Sequence, residues 1–183
     1  MLFRSDAILD EQPYPVKMLV VQSGNPAVSM MDSNRVKRSL EKLDFLVMID
    51  LFRNETSRFA DVILPACSCF EHTQLNRAAM RNNPVILQNQ VIEWVGQSRP
   101  NWKITFDLAG RLGLEREFPW RTAEEAIDYQ LEPSGITVEM LRKSPDGVRA
   151  EELRYEKHKT SGFATPSGKV ELFSERLRSN GQP

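Results

Sequence analysis

Three short, almost unbroken apolar runs constrain the fold more than any other feature: KMLVVQ (17–22), DFLVMID (44–50) and ADVILP (60–65). A strand with one wet face alternates polar and apolar residues, whereas these runs do not, so they suit strands of a parallel sheet buried on both faces. Each run closes on turn or breaker chemistry: Ser-Gly-Asn-Pro after the first, Asp50 at the second, Pro65 at the third. Between the first two lies a segment where Asp32 or Ser33 can cap a helix and Val36, Leu40 and Leu43 form one stripe. Strand, helix, strand, short helix, strand predicts a doubly wound α/β fold, Rossmann-like, with three layers and a mainly parallel sheet.

The rest of the chain is less regular. The first sixteen residues are polar and proline-bearing and read as a connector. PVILQNQVIEWV (84–95) is extended and predicts a hairpin or a strand skirting the domain. A helix is expected over 101–112, with Trp102, Phe106, Ala109 and Leu112 on one face and Gly113 as its stop. Thr122 with Glu125 forms a capping box for another, and Thr137 can cap a short third. Residues 1–142 therefore make the α/β domain. The charged stretch 143–160 is expected to be a mobile connector with room for one helical turn, and 161–183 to open a new unit with a hairpin-like entry and a strand near Val170.

Composition narrows the function. With 183 residues the chain can bury one sizeable core, and a formal net charge of −1 supplies no electrostatic footprint for nucleic acid. No apolar run approaches the roughly 18 residues of a membrane span, so no direct membrane insertion is expected. The start of the chain lacks the apolar stretch of a secretory signal, which leaves localisation open. Cys67 and Cys69 alone cannot complete a four-ligand metal site, and read as small, partly buried thiols.

In an open parallel sheet, ligands bind outside the carboxyl ends of the strands. Three clusters fall there: Gly24-Asn25-Pro26, Asp50, and Pro65-Ala66-Cys67. Glycine lets backbone N–H groups approach a phosphate, an asparagine amide adds a donor, and a carboxylate can take two donors from a ribose diol or a guanine edge. Each cluster also has a plain structural reading: a turn at Gly24-Asn25-Pro26, a cap or loop acid at Asp50, a helix cap at Glu55 and Thr56. Glu71-His72 suggests a partly buried polar pair.

Taken in order, GNPAVSMMDSNRVKRSLEKLDFLVMIDLFRNETSRFADVILPACSCFE resembles the third domain of molybdopterin oxidoreductases of the dimethyl sulfoxide reductase class. FATPSGKVELFS (163–174) is similar to the segment that opens that family's fourth, β-barrel domain, and RPNW fits as well, with Asn101 where aspartate is usual. The resemblance implies that the chain holds the nucleotide end of one molybdopterin guanine dinucleotide. Carried over by position, it implies cofactor contacts at Gly24, Asn25, Ile49, Asp50, Glu55, Thr56, His72 and Asn101, with Asp50 as acceptor for guanine or ribose and His72 in place of a lysine. Asn54 stands where threonine is usual.

The resemblance further implies that molybdenum or tungsten and an iron–sulfur cluster are held by domains outside this chain. No catalytic or metal-ligating residue is assigned here. The partners it implies are the remaining domains of the same enzyme and an electron-transfer subunit. Two other readings compete: a free-standing nucleotide-binding or interaction module, and a small thiol redox protein using Cys67 and Cys69, which needs an accessible low-pKa thiol.

Overall fold

A computed structural model describes residues 5–76, 84–150 and 155–181. The three apolar runs form strands β1 (Met18–Gln22), β2 (Phe45–Asp50) and β3 (Val62–Pro65). They lie parallel in the order β1-β2-β3, with Val21 beside Met48 and Asp50 beside Pro65. All three carboxyl ends consequently open on one edge of the sheet.

One face of this sheet is covered by two helices, α2 (Pro26–Ser29) and α3 (Ser33–Lys42). Val36 and Leu40 of α3, Ala27 of α2 and Val21 and Leu46 of the strands form a dry core, with Leu19, Leu43 and Phe59 packed around it. Asp32 caps α3, its carboxylate accepting from Arg35 N at 3.1 Å. Along the opposite face Met18, Val20, Phe45 and Val62 stay exposed to solvent.

The N-terminal stretch is more than a connector. Ser5–Leu9 forms helix α1, which buries Ala7 and Ile8 and docks on α3. Asp6 and Asp10 both accept from the Arg35 guanidinium, and Lys42 reaches Leu9 O and Glu11. Five residues are too few to show a helical period. The helix is held against α3, whose Arg35 and Lys42 supply two cations to its acidic residues and its last carbonyl.

A second core gathers around a small antiparallel ladder, β4 (Gln74–Asn76) with β5 (Ile86–Gln88). Helices α5 (Ala123–Leu131) and α6 (Val138–Lys143) pack on it, burying Leu87, Ile127, Leu131, Ile136, Val138 and Leu141 together. The expected hairpin element at 84–95 is thus realised only at 86–88; residues 89–95 run as loop. Helix α4 spans Asn101–Arg111, and its Trp102 and Phe106 rings meet edge to face at 5.5 Å. Leu112 leaves the expected stripe and is 64% exposed, because its φ of −90° and ψ of 0° take it out of the helical face.

Beyond residue 142 the chain does not float free at once. Val148 and Val85 exchange both backbone hydrogen bonds, at 2.8 and 2.9 Å. Gly147 makes this possible: at φ +86° a side chain would be strained, and a Cβ would lie 2.6 Å from Val85 O. The middle of the charged stretch, 151–154, lies outside the described residues, and His158–Ser161 supplies one short helix, α7.

The expected strand near Val170 is absent. Residues 163–168 close a turn through Phe163 N to Gly168 O, Leu172 is 97% exposed, and helix α8 follows at Glu175–Ser179. A single extended segment with no ladder partner gains nothing from strand geometry.

Candidate functional site

At the end of β1 the chain turns sharply: Ser23 adopts φ +51° and donates its N–H to Ile49 O at 2.9 Å. Gly24 and Asn25 follow, and Pro26 starts α2. Asn25 does not cap that helix. Its side chain crosses to the 3₁₀ turn at Glu55–Phe59, donating to Glu55 Oε2 at 2.6 Å and accepting from Thr56 Oγ1 at 2.8 Å. Thr56, fully buried, also accepts from Ala27 N at 3.1 Å. The Asn25 amide, foremost, holds Glu55 below its ordinary carboxylate value.

The loop after β2 is braced in the same manner. Asp50 Oδ1 accepts from Leu51 N at 2.7 Å and from Phe52 N at 3.4 Å, while Oδ2 accepts from Asn54 Nδ2 at 3.2 Å. Asn54 caps the 3₁₀ turn through Thr56 N and also reaches Gly24 O at 3.5 Å. Asp50 therefore holds its own loop as well as facing outward.

The third wall comes from the segment after β3 and from the approach to α4. Ala66 bridges to Arg99 in parallel, Arg99 N donates to Pro65 O at 3.0 Å, and Cys67 N donates to Arg99 O at 3.1 Å. This extends the sheet edge by one short step and delivers Asn101 beside β3. Its Oδ1 is buried and, among the described residues, has no hydrogen-bond partner.

These three walls enclose an open cleft of about 550 Å³, lined by Gly24, Asn25, Asp50, Asn54, Cys67 and Asn101 among others. Of the residues expected from the sequence, Gly24, Asn25, Asp50 and Asn101 line it. Ile49, Glu55, Thr56 and His72 do not: Ile49 is buried in the sheet, Glu55 and Thr56 brace Asn25 from behind, and His72 sits on the turn below Ser68. Both His72 ring nitrogens face acceptors, Ser68 O at 2.9 Å and Gln74 Oε1 at 3.1 Å.

Sequence reasoning missed Ser23, Ser68 and Cys69 as lining residues. Ser23, directly after a strand end, carried the signal; Ser68 and Cys69 did not, since only the turn after β3 folds them back. Burial pushes the Cys67 thiol above its ordinary value, which favours the unreactive thiol over the thiolate a redox protein needs. Among the described residues no group of three or more His, Cys, Asp or Glu side chains is placed to hold a metal ion. No described helix is long and apolar enough to cross a membrane.

The parallel sheet thus carries a polar cleft across its carboxyl edge, where open α/β sheets generally bind ligands. The chain belongs to the molybdopterin oxidoreductase family, whose model matches residues 6–111. It is 29% identical over 196 residues to the thiosulfate reductase molybdopterin-containing subunit PhsA of Salmonella typhimurium, covering 94% of this chain and 26% of that protein. It is likewise 29% identical over 189 residues to dimethyl sulfoxide reductase DmsA of Escherichia coli, covering 92% and 23%. The solved structure of acetylene hydratase from Pelobacter acetylenicus superposes on 97% of this chain and 24% of its own, with a TM-score of 0.83 at 29% identity. The chain thus spans about a quarter of the length of these relatives.

Proposed function

We propose that this chain is part of the catalytic subunit of a molybdopterin-dependent oxidoreductase, and that its cleft takes the nucleotide end of one molybdopterin guanine dinucleotide. The observation that carries this reading is Asn101 Oδ1, a buried acceptor at the wall of the cleft that has no donor among the described residues. An unpaired buried acceptor costs about 1–3 kcal/mol, so the site is built for a ligand that brings an N–H or O–H to that point. Guanine offers adjacent N1–H and N2–H donors, a pattern that adenine lacks.

The remaining residues fit the same ligand. Gly24 presents bare backbone to the cleft, with only ordinary contacts for an added Cβ, so phosphate or ribose can approach closely. Asp50 retains an outward edge of its carboxylate beside the bonds to Leu51 and Asn54. When bound, the cofactor would supply the metal-centred oxygen-atom or electron transfer on a small substrate; the residues of this chain bind and orient its nucleotide. The rest of the enzyme and an electron-transfer subunit are the partners this reading requires.

Calorimetric titration of the purified chain with GDP and with ADP tests it. GDP should bind weakly, ADP about tenfold more weakly still, and Asn101→Ala should cost GDP about tenfold, the loss of one such hydrogen bond. Equal binding of the two nucleotides, or an Asn101→Ala variant that binds GDP like wild type, would sink the reading.

A further inference from the structure

Glu71 lies outside the cleft and is 4% exposed, yet three donors converge on it. Oε2 accepts from Ser68 N at 2.7 Å, and Oε1 accepts from Val95 N at 2.7 Å and from Ser98 Oγ at 2.8 Å. These donors come from two separate walls. Ser68 belongs to the cleft rim after β3; Val95 and Ser98 belong to the loop that runs into α4. The same two stretches meet again where Cys67 Sγ approaches Ser98 Oγ at 3.5 Å and where Arg99 exchanges hydrogen bonds with Pro65 and Cys67. Three residues after Ser98, Asn101 places its unpaired Oδ1 at the cleft.

We infer that Glu71 is a positioning residue for the cleft: its carboxylate ties the Ser68 rim to the segment that delivers Asn101, and so sets ligand affinity without touching ligand. This rests on the cleft being a nucleotide site. A carboxylate is the fitting group because it only accepts. Glutamine at this position must turn an NH₂ towards at least one of the three donors, and an apolar residue would strand all three in a dry environment. Acid–base work is a poor alternative, because the carboxylate is shut from solvent and its lone pairs are taken. Hydrogen bonds from Ser68, foremost, and from Val95 and Ser98 hold its pKa at about 2.

The test uses the purified chain, with GDP as probe and the Asn101 side-chain amide signal in ¹⁵N NMR as a second readout. Glu71→Gln should weaken GDP about tenfold and move the Asn101 signal, with Glu71→Asp between it and wild type, since one charge-assisted contact is lost in each arrangement. Leu131→Ala, a cavity in the second core, serves as the control of lowered stability and should move neither readout. The inference is overturned if Glu71→Gln leaves both readouts at wild-type values, or if Leu131→Ala shifts them as much. Should Glu71→Gln fail to fold, Glu71→Asp decides by the same two readouts. Should wild type bind no GDP, the nucleotide reading falls. The Asn101 signal then judges Glu71 alone: a shift sustains the positioning role and no shift ends it.

Discussion

Among the buried polar side chains, Thr56 and Glu71 each tie two segments together. Thr56 joins the turns after β1 and β2 through Asn25 and Ala27. Glu71 does the same for the turn after β3 and the approach to α4, but as an anion. That charge makes the fold sensitive to acid. The carboxyl falls from an ordinary 4.5 to about 2 on folding, so the unfolded chain takes up its proton first as pH drops. Its stabilisation is complete above about pH 4.5 and is lost progressively towards pH 2. Thermal melting followed from pH 7 to pH 2 should show this decline, and Glu71→Gln, less stable at pH 7, should show a shallower one. Parallel profiles for the two proteins would remove Glu71 from the acid response.

Among the elements, the short helices depend on their caps. Thr122 Oγ1 accepts from Glu125 N at 3.2 Å, and Glu125 Oε2 reaches back to Arg121 N at 2.7 Å, one residue before the cap itself. The capping-box signature in the sequence is thus realised with its return bond shifted by one position. Thr122→Ala should cost about 1 kcal/mol, the usual loss of a threonine cap. Chemical denaturation would register this as a lowered midpoint at unchanged slope. No change in midpoint would mean that burial of Ala126, Ile127 and Leu131 alone holds α5. The same scale explains α1 and the missing strand at Val170. Local propensity was weak in both, and contact decided: α3 was available to α1, while among the described residues no strand pairs with 169–173.

Across the whole molecule the sheet is lopsided. Leu46 has no exposed surface and packs under α3, whereas Val20, on the opposite face, is 43% exposed. Leu46→Ala should cost about 2–5 kcal/mol, the range for a leucine cavity in a packed core. Val20→Lys should stay within about 0.5 kcal/mol of wild type, as for a surface change. Paired melting curves of the two variants check this. A severe loss in Val20→Lys would mean that this face is covered in solution.

The parallel strands, their order of appearance, the caps at Asp32, Thr122 and Thr137, and the clusters at the strand ends were all legible in the sequence. Each follows from short-range chemistry: an apolar run, a side-chain oxygen three residues before an N–H, a glycine or proline at a turn. Even Asp50 was placed at the carboxyl edge of the sheet by the end of its strand. What the tertiary structure alone decided is which polar atoms remain free there. Asp50 spends much of its carboxylate on Leu51, Phe52 and Asn54, while Asn101 keeps an unshared acceptor. Glu71, which the sequence showed only as half of a polar pair, becomes the tie between two walls because Val95 and Ser98 return to it from more than twenty residues away. A hydrogen bond depends on distance and angle in space, and sequence separation carries no information about either once the chain has turned back on itself.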